Sequence, residues 1–491
     1  MKILMVAPEA VPFVKVGGLA DVVGALTKEL SNKGHDVRLV LPKYHDLKHF
    51  ESAQLTEDSF MRVRLGAQDE YTRIWELLYP DANAKVYFFE YEAFFGSKSV
   101  YKGPSGDEAE NGYRFSFFSR AALDLCYHLN WFPDIIHCHD WTTGLVPAFL
   151  NTNDFNQTLG RAASVMTIHN LQHQGYCDRN VLRYAGLPQS LFKADGFESF
   201  GQVNLLKGAL YHATKLTTVS PSYAKEIQTD AFGCGLESVT CFRSPDLIGV
   251  INGIDTAEWD PNTDVYLGAD TFSKKDISNK AVCKDRLQAQ FNLKRDSDAP
   301  LAVVVSRLYE QKGLDLLLSI IDPLMHQTNL QLCILGTGDP EIESAFKYFS
   351  VSFTGRVSSV LAFDNALAHL CIAGGDFLLM PSRFEPCGLS QMYAMMYGTL
   401  PIVRSTGGLI DSVPVSSENW IEGCGFSFAS LESSEFLKVI LEALDIYNQN
   451  PEAFEQMRIR AMSLDFTWES SAKHYESIYQ WASENRASAF N

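Results

Sequence analysis

Short, mainly apolar runs recur along this chain, many separated from the next by a stretch long enough for a helix. Strand character is read at Val37–Leu41, Val86–Glu90, Asp134–His137, Ser164–Ile168, Leu216–Val219 and Leu247–Val250, and again at Leu301–Val305, Leu330–Leu335, Asp376–Met380 and Leu400–Val403. Runs with apolar residues at consecutive positions, rather than at alternate ones only, fit strands buried on both faces. Their alternation with helices implies parallel sheets covered on two sides. At 491 residues the chain exceeds one ordinary domain, and with 46% hydrophobic residues each half can bury its own core. The best boundary follows Ile251-Asn252-Gly253-Ile254-Asp255, where Asp260-Pro261-Asn262-Thr263-Asp264 is loop-like. The expected organisation is one lobe over 1–258, a second over 259–467, and a C-terminal helix over 468–491 that crosses back to the first lobe.

The opening stretch Met1-Lys2-Ile3-Leu4-Met5-Val6-Ala7-Pro8-Glu9, a short apolar run of strand character ending in a Pro-containing loop, leads to Lys15-Val16-Gly17-Gly18-Leu19-Ala20-Asp21 and a helix pattern. A strand–loop–helix turn of this kind aims backbone N–H groups and the positive end of the helix dipole at a ligand. Adjacent glycines allow an anion close approach, and Lys15 adds a full charge. Ser405-Thr406-Gly407-Gly408-Leu409-Ile410-Asp411 repeats the pattern after Leu400–Val403. Two such loops, one in each half, point to two related α/β domains serving one anionic ligand.

Open parallel sheets bind ligands beyond the carboxyl ends of their strands. Polar groups follow the apolar runs at His137-Cys138-His139-Asp140-Trp141, His169-Asn170-Leu171, Ser306-Arg307…Lys312-Gly313 and Pro381-Ser382-Arg383-Phe384-Glu385-Pro386-Cys387-Gly388-Leu389. Arg307 offers a bidentate fork to a diphosphate and Lys312 a point charge. Glu385 reads either as an ordinary partner of the following helix N-terminus or as a carboxylate facing a sugar.

The formal charge of −18 argues against a nucleic-acid or anionic-membrane partner. No run approaches the ~20 apolar residues that span a bilayer. Strand-like sequence begins at once after Met1, so no signal or transit segment is expected. The ten cysteines are scattered without a Cys-x-x-Cys pair, which reads as reduced thiols in a reducing compartment. Metal ligation is disfavoured. His169 and His173 lack the Glu of a zinc helix, Cys138 points away from His137 and His139 along a strand, and Asp296-Ser297-Asp298 reads as a surface turn. The chain has no G-x-G-x-x-G, Walker loop or G-x-S-x-G elbow.

The Lys15–Asp21 segment, His169-Asn170-Leu171, Ser306-Arg307-Leu308…Gln311-Lys312-Gly313, the 381–389 segment and Ser405–Leu409 resemble, in order over nearly the whole chain, the bacterial glycogen synthase and plastid starch synthase family. The resemblance implies two Rossmann-like doubly wound domains facing across a cleft, the GT-B glycosyltransferase architecture. It also implies a retaining transfer of glucose from ADP-glucose to the non-reducing-end 4-OH of an α-1,4-glucan, releasing ADP, with no metal and no cofactor. By matching position, Lys15, Arg307 and Lys312 hold the diphosphate and Gly18 lets it approach. His169, Asn252 and Glu385 contact the transferred glucose, with Asp140 beside them. The Cys387-Gly388-Leu389 backbone and Thr406-Gly407-Gly408 complete the donor site. Phe363 stands where an aromatic stacks on adenine, and many members carry Tyr there. Gln172-His173 departs from the family's usual Ala-Tyr. The compartment implied is a bacterial cytosol, or a plastid stroma after removal of a transit peptide. A UDP-glucose-using relative, a pyridoxal-phosphate-dependent phosphorylase and a silent glucan-binding protein are the rival readings.

Overall fold

The computed structural model describes residues 1–416 and 420–490. Residues 417–419, inside the expected second lobe, and 491, the last of the expected C-terminal segment, lie outside the described residues. The chain forms two compact units, Met1–Gly253 with Trp468–Asn491, and Ile254–Thr467.

The strands of the first unit are, in chain order, β1 (Lys2–Val6), β2 (Asp36–Pro42), β3 (Gln54–Leu65), β4 (Gln68–Leu78), β5 (Lys85–Glu90), β6 (Ile135–His139), β7 (Ala163–Ile168), β8 (Tyr176–Cys177), β9 (Glu198–Ser199), β10 (Gln202–Asn204), β11 (Lys215–Thr218) and β12 (Leu247–Gly249). Nine of them make one sheet in the order β12-β11-β7-β6-β1-β2-β5-β4-β3. It is parallel from β12 to β5, and β4 and β3 extend it antiparallel. The apolar runs are its buried central strands, with every residue of β6 and β7 buried. The β3–β4 hairpin was not expected from sequence. Its residues alternate, with Val63 and Leu65 buried between exposed Arg62 and Arg64. That period of two marks a strand with one wet face, which a search for wholly apolar runs passes over. The small strands β8, β10 and β9 form a separate three-stranded sheet.

The helix Trp468–Ser488 packs within this unit. Tyr475, Ile478, Tyr479 and Ala482 are buried in the core that also holds Ile3, Met5, Val23 and Val165. Burying a side chain of this size is worth about 1.5–3 kcal/mol. Arg486 closes the far end by donating to the Gly160 carbonyl at 2.9 Å, the Leu150 carbonyl at 3.0 Å and Asn151 Oδ1 at 2.6 Å. At the near end Ser471 Oγ donates to the Ile251 carbonyl. A Cβ on Gly253 would lie 2.7 Å from the Trp468 backbone, so only glycine permits that approach.

The second unit carries β13 (Leu301–Val305), β14 (Gln331–Leu335), β15 (Val357–Val360), β16 (Phe377–Met380), β17 (Leu400–Arg404) and β18 (Phe426–Phe428). They form a six-stranded parallel sheet in the order β15-β14-β13-β16-β17-β18. Residues 254–258, assigned to the first lobe on sequence, fall in this unit. The Ile254 N–H donates to the Phe466 carbonyl at 2.8 Å, and a bridge pairs Ile254 with Thr467. The segment that follows is pinned by Trp259, whose ring stacks 3.7 Å from His369 and 4.0 Å from Tyr393.

Candidate active site

In each of the two large sheets the strand order reverses at a central strand. Chain order runs outward through β2 on one side of β1 and through β6 on the other, and likewise through β14 and β16 around β13. Such switch points leave a crevice beyond the carboxyl ends of the strands. The 15–21 loop follows β1, Asp140 follows β6, and Arg307 follows β13. His169 comes directly after β7, and Asn252 three residues after β12.

At the first switch point Lys15 Nζ donates to Asp21 at 2.7 Å, with the Lys15 side chain 53% exposed. The helix Gly18–Asn32 begins at Gly18, where a Cβ would project into open space. Two loop N–H groups, expected from sequence to be open to a ligand, are engaged instead. Val16 and Gly17 donate to the Glu9 carboxylate, whose other oxygen accepts from Tyr101 OH at 2.8 Å. Burial raises the Glu9 carboxyl despite these donors. Glu9 was missed in the sequence because a lone carboxylate after a strand carries no spacing signal. Its role depends on a loop folding back seven residues later.

Asp140 is held at φ +55°, a strained conformation for a residue other than glycine, and the strain sits where ligand-facing residues gather. Its Oδ1 accepts the His169 N–H at 2.8 Å. Burial pushes its carboxyl up to about 7, against the opposing pull of the His169 and Asn170 N–H groups. His169 Nε2 and His139 Nδ1 are 3.0 Å apart. Burial pushes His169 down to about 3 and lowers His139, with His137 and His169 adding to the latter effect. Both rings are therefore neutral at pH 7, so one donates its N–H and the other accepts. His137, also pushed to about 3 by burial, bonds Tyr479 OH at 2.7 Å and Thr167 Oγ1 at 2.6 Å. The 137–139 histidines thus form a hydrogen-bonded scaffold behind His169. Asn252 is 4% exposed and its Oδ1 has no protein partner.

At the second switch point Lys312 Nζ donates to Glu385 Oε2 at 2.6 Å, and Ser382 Oγ donates to the same oxygen at 3.0 Å. A cavity of ≈ 180 Å³ opens here between the ends of β13 and β16, lined by Ser306, Arg307, Lys312, Ser382 and Ser390 among others. Arg307 is exposed at its edge. The loops that carry Glu385 and Gly408 lock together. The Gly408 N–H donates to the Glu385 carbonyl at 3.0 Å, and a Cβ on Gly408 would lie 2.2 Å from the Cys387 carbonyl oxygen. Gly388 adopts φ +73° and Gly407 φ +46°, so both halves of this double loop use backbone that glycine adopts readily. Leu389 directly precedes the helix Ser390–Met396, and Thr406 is fully buried. Phe363, 89% exposed, stands in the loop beyond β15.

The structure thus places Lys15, Gly18, Asp140, His169 and Asn252 on loops or at a helix start of the first unit, and Arg307, Lys312, Phe363, Glu385, Cys387–Leu389 and Thr406–Gly408 on loops, a short helical turn or a helix start of the second. Among the described residues no group of three or more His, Cys, Asp and Glu side chains is placed to hold a metal ion. In the Asp296-Ser297-Asp298 segment, Asp296 Oδ1 accepts the Asp298 and Ala299 N–H groups, which makes a local turn. No helix among the described residues is long and apolar enough to cross a membrane.

A family model described as "Starch synthase catalytic domain" matches residues 2–240, and one described as "Glycosyl transferases group 1" matches 299–445. The chain is 42% identical to a glycogen synthase of Anaeromyxobacter sp., over 98% of this chain and 99% of that one. It is 40% identical to glycogen synthase 1 of Geobacter metallireducens, over 99% and 97%. Its structure resembles the catalytic domain of starch synthase IV from Arabidopsis thaliana, solved with ADP and acarbose, at a TM-score of 0.89 and 34% identity over 98% of this chain and 99% of that one. Two doubly wound units with loops converging on their switch points, and relatives alike from end to end, place the chain in the glycogen synthase and starch synthase family, GT-B glycosyltransferases that elongate an α-glucan.

Proposed function

We propose that this chain transfers glucose from ADP-glucose to the non-reducing-end 4-OH of an α-1,4-glucan, with retention of configuration and release of ADP. The observation that carries the reading is the close match to a starch synthase solved with ADP and acarbose, together with the Lys312–Glu385–Ser382 cluster beside Arg307. ADP fits the product side of the donor, and acarbose, an oligosaccharide analogue, fits the acceptor class. The reading includes no nucleic-acid or membrane partner and a bacterial cytosol, in keeping with the bacterial relatives.

In this proposal Lys15, Arg307 and Lys312 hold the diphosphate, and Gly18 leaves room for it. Breaking the anomeric C–O bond puts negative charge on ADP, and cations already in place stabilise it without reorganisation, often the largest catalytic term. Glu385 has two assignments: it orients Lys312, and it faces the transferred glucose with His169 and Asn252. The neutral state of His169 suits a hydrogen-bonding role toward the sugar rather than a cationic one. Asp140 fixes the His169 backbone. Cys387–Leu389, Thr406–Gly408 and Phe363 are assigned to the rest of the donor, Phe363 by stacking on the base. Transfer is taken to be front-face, with the leaving phosphate assisting removal of the acceptor proton.

The test is glucose transfer to glycogen from labelled ADP-glucose and UDP-glucose in parallel, in EDTA. Strong transfer from ADP-glucose without metal is expected. Transfer from UDP-glucose alone would overturn the donor assignment, and loss of activity in EDTA would overturn the cation-only account of the leaving group.

A further inference from the structure

We propose that the small sheet β8–β10–β9 is an acceptor arm that holds a linear stretch of neutral α-linked glucan against the rings of Phe200 and Tyr176. The proposal rests on the transfer reading above.

The turn between β9 and β10 consists of Phe200 and Gly201, since Ser199 and Gln202 are register partners. Both turn residues have positive φ, +52° and +79°. A two-residue turn of this geometry favours Asn, Asp or Gly at its first position, because a bulky side chain is strained there. Phe200 is also 88% exposed. It is therefore unfavourable in its backbone and in its solvation at once, and it buries nothing within its own chain to offset either. Strain and exposed apolar surface held together in one residue point to an external partner.

The arm is tied to the His169 loop. β8 begins at Tyr176, seven residues after His169. Leu205 N–H donates to the Gly175 carbonyl at 3.3 Å, Leu206 N–H to the Gln174 carbonyl at 3.0 Å, and Asn204 Nδ2 to Gln174 Oε1 at 2.6 Å. From Asn204 the strand runs out to Gln202, roughly 7 Å at strand rise, and the turn that carries Phe200 lies beyond it.

Register decides which groups share a face. Tyr176 lies opposite Asn204 and Gln202 opposite Ser199, so these four side chains fall on one side of the sheet. Tyr176 is 43% exposed, and its hydroxyl lies 3.2 Å from Ser199 Oγ. Asn204 and Ser199 are buried, so what the face offers outward is the Tyr176 ring with its hydroxyl and the Gln202 amide, neither of them charged. That matches a sugar polymer with apolar C–H faces and hydroxyl rims, and it does not match an anion.

The test compares wild type with Phe200→Asn and Phe200→Tyr. The readouts are retardation in gels containing soluble α-glucan, KM for maltoheptaose and longer acceptors, KM for ADP-glucose, and Tm. Phe200→Asn removes the ring and suits the turn, so its Tm is expected to equal or exceed wild type. Its gel retardation is expected to fall and its long-acceptor KM to rise up to about tenfold, with the donor KM as reference. Phe200→Tyr is expected to keep both. Unchanged retardation and acceptor KM in Phe200→Asn overturn the arm, as does wild-type protein that is not retarded. A clear drop in Tm for Phe200→Asn also overturns it, by showing that the ring serves the fold. If wild type is retarded yet transfers no glucose, the transfer reading fails while the gel still decides on the arm.

Discussion

The loops after β1 and after β13 both leave a central parallel strand, and both present a lysine beside a carboxylate. Lys15 is 53% exposed and its partner Asp21 26%, whereas Lys312 is 16% exposed and Glu385 8%. The surroundings differ in the same sense. In the first unit, β6 and the residue directly after β7 carry uncharged histidines, His139 bonded to His169 and His137 to Tyr479 and Thr167, with a strained Asp140 beside them. Behind the second loop lies a buried ion pair braced by Ser382. The comparison teaches that the cationic role proposed for both can fall to a lysine in an exposed ion pair and to a lysine locked into the fold. Mutation separates the two, because burial decides how much of a pair's energy reaches stability.

The largest effect expected comes from Lys312→Ala. It removes the cation proposed to hold the leaving group and leaves Glu385 buried with Ser382 but no cation. A loss of about 10²–10³ in kcat is expected together with a destabilisation of about 3–5 kcal/mol, read by urea unfolding. Lys15→Ala is expected to lose turnover on a similar scale but less than about 1 kcal/mol of stability. Equal stability losses would break the comparison, and an unchanged rate in Lys15→Ala would remove Lys15 from the site.

A second contrast concerns pH. In the first unit burial holds His137 and His169 at about 3, far below the ordinary value. The unfolded chain binds protons that the fold refuses, so their contribution is present above pH ~6.5 and is lost as pH falls toward 3. In the second unit burial lowers His369, but Asp264, 2.8 Å away, and Glu258 outweigh it and the net shift is upward. That contribution is full below pH ~6.5 and is lost as pH rises through the raised value. Acid is therefore expected to loosen the first unit and mild alkali the second. Hydrogen exchange of β6–β7 amides against fluorescence of Trp259, stacked on His369, would report the two separately. Parallel pH responses would refute the contrast.

The smallest effect is assigned to Glu9→Gln, which keeps shape but removes the charge that gathers the Val16 and Gly17 N–H groups. Charge-assisted bonds of this kind are worth about 1.5–3 kcal/mol, so the donor KM is expected to rise about tenfold with kcat little changed. A fall in kcat with KM unchanged would place Glu9 in the chemistry instead.

Much of this molecule is legible before folding. Mainly apolar runs became β6, β7, β11, β13, β14, β16 and β17, because burial on both faces favours apolar residues at consecutive positions. The β3–β4 hairpin and the β8–β10–β9 sheet were not legible in that way, since their strands are half wet or only two or three residues long. The Lys15, Arg307 and Lys312 motifs stand out through spacing after strands. Glu9 does not, and His139 stands out only as a metal candidate, while its neighbour in space is His169.

What the sequence by itself determined is the alternation that dictates parallel sheets, the glycine-rich turns, and the types of charge beyond the strands. All of these are local, because period, turn chemistry and residue type act within a few positions. Tertiary structure alone decided that Lys312 is buried on Glu385 while Lys15 stays in water, and that a carboxylate at Glu9 occupies the first loop. It also made the histidines of β6 neutral and left Phe200 strained in solvent. The reason is physical: hydration, dielectric and hydrogen-bond partners are set by what chain-distant segments bring together, and no local pattern encodes them.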